Sequence, residues 1–143
     1  MLVDWFDSEV AWAALCERGN GEHTYIVNDI LVHDQTVTGG TVRTDPAQYD
    51  NWLDWYRMND EETFFKIALH GHSHYTMGAF PSGLDMSLQE DIIDQLDGDM
   101  FYIFMIINRR RDMWIRIVDS MDETEFRGAN VQWCVIDEGF HSS

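Results

Sequence analysis

Short apolar runs alternate with polar, glycine-bearing breaks along most of this chain, and the pattern predicts more strands than helices. Val10 to Cys16 is small and apolar, held between Asp7-Ser8-Glu9 and the turn signal Gly19-Asn20-Gly21. His23 to Val32, rich in Tyr, Ile and Val, reads as the second arm of a hairpin. Thr36 to Thr44 is Thr/Val-rich around Gly39-Gly40 and reads as a bent extended segment. The texture then changes. Asp45 is a good helix cap and Pro46 suits the first helical position. Tyr49, Trp52, Leu53 and Tyr56 fall at helical spacing, so Pro46 to about Asn59 is predicted helical with that stripe in the core.

Thr63 to His70 reads as a strand. Ser87 can cap a helix that carries Leu88, Ile92, Ile93 and Leu96 and stops at Asp97-Gly98-Asp99. Met100 to Ile107 is nearly unbroken apolar sequence, the mark of a strand covered on both faces. Asn108 to Asp112 turns into Met113 to Val118, a second hairpin. Asp122 to Gly128 reads as a loop, Ala129 to Ile136 as a last strand, and Gly139 to Ser143 as a fraying tail. There is no internal repeat, low-complexity stretch or linker. The expected fold is therefore α/β (α+β), one domain over residues 1–143, a mixed sheet with helices packed on it.

One stretch carries chemistry. His70, His72 and His74 alternate, and side chains two apart on a strand share a face. Asp85 follows after a turn containing Pro81 and Gly83 that can bring a carboxylate back to the same point. Two histidines and one carboxylate, with a fourth position left for water, make the ligand set of a catalytic zinc site rather than a closed structural one. Ser82 stands three residues before the aspartate, close enough to present a hydroxyl there. Each residue also has a plainer reading: polar histidines at a strand end, turn chemistry for Ser82, and a helix cap near Met86 for Asp85.

The run His72-Ser73-His74, seven residues, Ser82, two residues, Asp85 resembles the signature of the JAMM/MPN+ zinc metalloproteases. That family includes deubiquitinating isopeptidases, and Met77 to Met86 looks most like its prokaryotic and phage branch. The resemblance implies a curved sheet flanked by helices, a cytidine-deaminase-like sandwich. It covers the chain from about Glu9 to the hairpin near Val118. It also implies roles: His72, His74 and Asp85 as zinc ligands, and Ser82 as donor to a developing oxyanion. Glu9, at the start of an apolar strand, would be the general base that takes a proton and passes it to the leaving amine. Ser73, between the ligands, reads as structural support, and His70 as packing or support behind them. Family members commonly carry a strand and a helix before the glutamate. Here eight residues precede Glu9, so that part is trimmed, or belongs to another segment or a partner subunit.

Charge narrows the partners. The formal net charge is −17, from 26 acidic and 9 basic residues, and such a surface repels phosphate. Nucleic acid and anionic membrane are therefore excluded as expected partners. A basic partner is favoured, though solubility or a salt-adapted host would produce the same surface. Arg109-Arg110-Arg111, the one basic cluster, sits in a predicted turn and reads as solvated charge, with a contact for an acidic tail as the other reading. His23, His33 and His141 have no partner spacing. Cys16 and Cys134 lie in apolar runs and read as buried free thiols in a reducing compartment. The N-terminus lacks the pattern of a signal peptide, and no apolar run is long enough for a membrane span, so a cytoplasmic location is expected.

Three functions remain: a peptidase or isopeptidase, a binding or assembly module active only in a complex, and a metal that merely holds a loop. The resemblance implies a protein or peptide substrate, such as a ubiquitin-like or sulfur-carrier-like tail or a precursor protein. No long insertion follows Asp85, so strict ubiquitin specificity is not implied.

Overall fold

A computed structural model describes residues 11–32, 46–74 and 78–135. Among these residues six strands form one sheet: β1 (Ala11–Arg18), β2 (Tyr25–Val32), β3 (Ile67–His74), β4 (Phe101–Asn108), β5 (Met113–Asp119) and β6 (Thr124–Arg127). Their spatial order is β2-β1-β3-β4-β5-β6. Among the described strands only β3 and β4 run parallel; every other neighbouring pair is antiparallel. Among the described residues three helices accompany the sheet: α1 (Pro46–Asn59), α2 (Glu61–Lys66) and α3 (Gly83–Ile93). The chain is thus α+β, a mixed open sheet flanked by helices. Among the described residues no helix is long and apolar enough to cross a membrane.

Register across the sheet explains its two faces. Trp12 pairs with Gly71, Leu69 with Ile103, and Ile103 with Ile117. These residues point to one side and build the larger core, together with Ala14, Phe101, Ile107 and Ile115. The opposite face carries Ala11 beside His72 and Ala13 beside His70. There a smaller cluster forms from Ala11 and Leu88 of α3, with Trp52 and Leu53 of α1 and Ile92 packed against it. Trp52 and Leu53 thus join the core side of α1, as their spacing predicts. β4 is buried at seven of its eight positions, as expected of a central strand with both faces covered.

Gly71 shows why the histidine-bearing strand tolerates no side chain at its middle. A Cβ there would lie 2.2 Å from Cε2 and 2.3 Å from Nε1 of Trp12, whose indole is buried across the strand pair. The glycine between His70 and His72 is required by the opposite face of the sheet.

Several expectations need correction. Thr63 to Lys66 is helical rather than the start of a strand. Asp60 caps α2, its carboxylate accepting from the Thr63 N–H at 3.2 Å and the Thr63 hydroxyl at 2.7 Å. This local hydrogen bonding outweighs the strand preference of the apolar pair Phe64-Phe65. Strand β3 therefore begins at Ile67. Helix α3 begins at Gly83 with Ser82 as its cap, so neither Ser87 nor Asp85 is the N-cap. Residues 124–127, read as loop, form β6: Glu123 turns the chain at φ 55°, and Arg116 pairs across to Glu125. Residues 128–135 form no strand. Gly128 sits at φ 55°, one 3-10 turn spans Gly128–Asn130, and Cys134 is exposed rather than buried. Cys16 is buried, as expected. The segment 36–44, the Asp45 cap, Glu9, His33, His141 and the tail 139–143 lie outside the described residues.

Candidate metal centre

The end of β3 and the first turn of α3 meet on the face lined by α1 and α3. His72 and His74 project from alternate positions of β3, and their Nε2 atoms lie 2.9 Å apart. Asp85 closes a triangle with both. Its Oδ1 is 3.0 Å from His72 Nε2 and its Oδ2 is 3.2 Å from His74 Nε2. All three side chains are largely withdrawn from solvent, at 4%, 4% and 14% exposure, which strengthens any charge interaction among them.

Local structure holds each corner. The helix cap positions Asp85: the Ser82 N–H donates to Asp85 Oδ2 at 2.7 Å, and the Asp85 N–H donates to Ser82 Oγ at 3.2 Å. This reciprocal capping box satisfies two helix-end donors and fixes the carboxylate. The aspartate of the capping box is thus the same one that faces both histidines. Ser82 uses Oγ as an acceptor in the cap, so its O–H can still donate elsewhere. His74 is oriented from behind, with Nδ1 3.0 Å from the Gly78 carbonyl. A carbonyl only accepts, so Nδ1 carries the proton and the neutral ring's lone pair is on Nε2, aimed into the triangle. His72 Nδ1 is buried and has no hydrogen-bond partner among the described residues.

The donor set fits a divalent metal. Ligand atoms about 2.05 Å from a tetrahedral zinc would stand about 3.3 Å from one another. The observed edges of 2.9, 3.0 and 3.2 Å lie a few tenths of an ångström below that. A proton on His72 Nε2 can serve one edge of the triangle at a time, whereas a cation engages all three corners. Burial pushes the Asp85 carboxyl up, but the His72 imidazole and the Ser82 N–H outweigh burial and hold it well below the usual carboxylate range. The carboxylate is therefore ionised at neutral pH and available as an anionic ligand.

The other sequence-derived candidates fall as follows. His70 is buried on the same face, its ring centre 5.6 Å from that of His72, and it is not part of the triangle. Ser73, at 1% exposure, alternates to the opposite face of β3. Arg109, Arg110 and Arg111 are exposed at the β4–β5 turn.

Sequence reasoning missed a second convergence. His23, in the β1–β2 turn, meets Asp122 in the β5–β6 turn at 2.5 Å, with Asp119 nearby. Asp119 is fully buried and already occupied: Arg18 donates to both its oxygens at 2.8 and 2.7 Å, and the Tyr25 hydroxyl donates at 2.6 Å. With that carboxylate taken up by a guanidinium, the group clasps two turns together and does not form an open cation site. No local signal marks it, because Arg18 and Asp119 are 101 residues apart.

The chain matches no protein-family model and no curated protein by sequence.

Proposed function

We propose that this protein is a zinc-dependent hydrolase of amide bonds, a peptidase or isopeptidase of the JAMM type. The observation that carries the reading is the buried triangle of His72 Nε2, His74 Nε2 and an Asp85 carboxylate, with edges no longer than 3.2 Å. His72, His74 and Asp85 would hold the metal, leaving a position open to water and substrate. Bound there, zinc would supply Lewis acidity toward a carbonyl and a water of lowered pKa.

The chain's own residues would do the rest. The Gly78 carbonyl holds the proton of His74 on Nδ1 and so keeps Nε2 a lone-pair donor. Ser82, three residues from the ligand aspartate, presents a hydroxyl able to donate to an oxyanion; loss of one such donor costs about 10²–10³ in rate. Glu9 is the base in this reading, taking a proton on its carboxylate and returning it to the leaving nitrogen. Support comes from chain reach: Glu9 is two residues from Ala11, which pairs with His72, and two peptide units span about 7 Å. The substrate class is a protein or peptide tail, ubiquitin-like in the broad sense, met in the cytoplasm. Zinc is inferred from ligand type, and iron or cobalt would occupy the same donors in vitro.

A second reading, an assembly subunit active only within a complex, draws on β2. This edge strand leaves Ile26, Val27, Ile30 and Val32 exposed, between 39% and 58%. The test is hydrolysis of peptide and isopeptide-linked substrates by wild type and Glu9→Gln, with zinc content measured in both. Activity lost with zinc retained supports the enzyme and its base. Full activity in Glu9→Gln removes Glu9 from the mechanism. Zinc at about one per chain with activity appearing only beside a partner favours the second reading.

A further inference from the structure

The loop beyond β3 contains a feature that the ligand triangle alone does not require. The Gly78 carbonyl accepts two hydrogen bonds, from His74 Nδ1 at 3.0 Å and from the Phe80 N–H at 2.9 Å. The second closes a tight turn around Ala79, which is buried at 6% exposure. The Phe80 ring folds back over the α-carbon of Gly78. A Cβ at position 78 would lie 2.4 Å from Phe80 Cε2 and 2.7 Å from Cδ2. The glycine at 78 leaves that space to the ring.

We infer that Gly78, Ala79 and Phe80 form a positioning clamp for His74, in which the bond from the Phe80 N–H keeps the Gly78 carbonyl against Nδ1 and the missing Cβ at 78 leaves room for the Phe80 ring, itself 70% exposed. The inference rests on the reading of His72, His74 and Asp85 as metal ligands and adds what sets their affinity. These three are positioning residues. They touch no reacting atom and act through the tautomer and orientation of one imidazole. Partners of this kind behind a metal-bound histidine are worth about 10–100-fold in affinity. Because the Phe80 backbone is tied to the same carbonyl, an added methyl at 78 has two outlets. The ring, already 70% exposed, swings further out, or the turn opens and carries the carbonyl away from His74.

Two measurements on the full chain test this, with Gly78→Ala, Phe80→Ala and the double variant. The first is zinc affinity by competition with a chromophoric chelator. Gly78→Ala should bind zinc about 10–100-fold more weakly than wild type, and the double variant should recover most of that loss because the obstructing ring is gone. The second needs no metal: the His74 tautomer in the chelated protein, read from imidazole nitrogen shifts by NMR at mildly alkaline pH. Wild type and double variant should show the proton on Nδ1, and Gly78→Ala a mixture. Unchanged zinc affinity and tautomer in Gly78→Ala overturn the clamp, as does a double variant as impaired as Gly78→Ala. A wild type that binds no zinc but follows the tautomer pattern keeps the clamp and refutes the metal reading. Zinc bound normally by every variant does the reverse.

Discussion

Replacing Asp85 by asparagine separates its part in the helix cap from the metal ligation proposed for it. The amide keeps an oxygen that can accept the Ser82 N–H, so the cap of α3 survives in part. It removes the anionic corner that stands 3.0 Å from His72 and 3.2 Å from His74. Loss of a good cap costs about 0.5–2 kcal/mol, and an amide in place of the carboxylate should sit near the low end, at about 1 kcal/mol. The metal contribution is larger. A ligand that binds only the folded chain at a thousand times its Kd stabilises it by about 4 kcal/mol. At about 4 °C per kcal/mol for a chain of this size, zinc should raise the Tm of the wild type by about 15 °C over the chelated form. Asp85→Asn should melt within about 5 °C of the chelated wild type and respond little to zinc. Calorimetry or near-UV circular dichroism, with and without chelator, reads both quantities. A zinc-dependent shift of full size in Asp85→Asn would refute the triangle as a three-ligand site. A chelated Asp85→Asn melting far below chelated wild type would show that the cap, and not ligation, is the chief duty of this carboxylate.

Other consequences follow from the packing. Gly71→Ala drives a methyl into the buried Trp12 indole, at 2.2 Å from its Cε2, and should lower stability by about 1–3 kcal/mol in urea titration; a loss under about 0.5 kcal/mol would contradict the close fit. Asp119 is held well below the usual carboxylate range by the Arg18 guanidinium, helped by the Tyr25 hydroxyl and the Met121 N–H, with burial opposing. Its folded pKa is thus below its unfolded value of about 3.9, so the stability it lends is complete above that pH and is lost as pH falls below it. In chelated protein the urea midpoint should drop below pH ~4, and Asp119→Asn, less stable at neutral pH, should show a shallower acid slope; equal slopes would refute the linkage. Burial pushes the Cys16 thiol up to about 12, the Ala68 backbone opposing slightly, while Cys134 is exposed. An aromatic disulfide reagent should titrate one thiol in the folded chain and two in guanidinium, and two fast thiols in the folded state would contradict the buried position of Cys16.

Much of the site could be read from the chain because its parts are local. His72 and His74 share a face through the two-residue period of a strand, whatever surrounds them. Asp85 lies within reach because a short turn joins it to the strand. The helix Pro46–Asn59 and the two-sided burial of β4 were legible for the same reason, since local periodicity and an unbroken apolar run carry them. Where local signals competed, the reading failed. Asp60 turned an apolar stretch into the short helix α2, and Ser82 capped α3 four residues before the expected start near Met86.

The remaining features arise from pairings that no local pattern encodes. Gly71 is glycine because Trp12 of the neighbouring strand crosses it. β6 exists because Arg116 and the edge of β5 offer partners to a polar segment. Arg18, Tyr25 and Asp119 meet because the sheet brings the β1–β2 turn to the end of β5. The sequence by itself determined which donors could hold a metal. Only the tertiary structure decided that they converge to within 3.2 Å, because closing that triangle depends on the β3–α3 crossover, the Ser82 cap and the Gly78 carbonyl acting together.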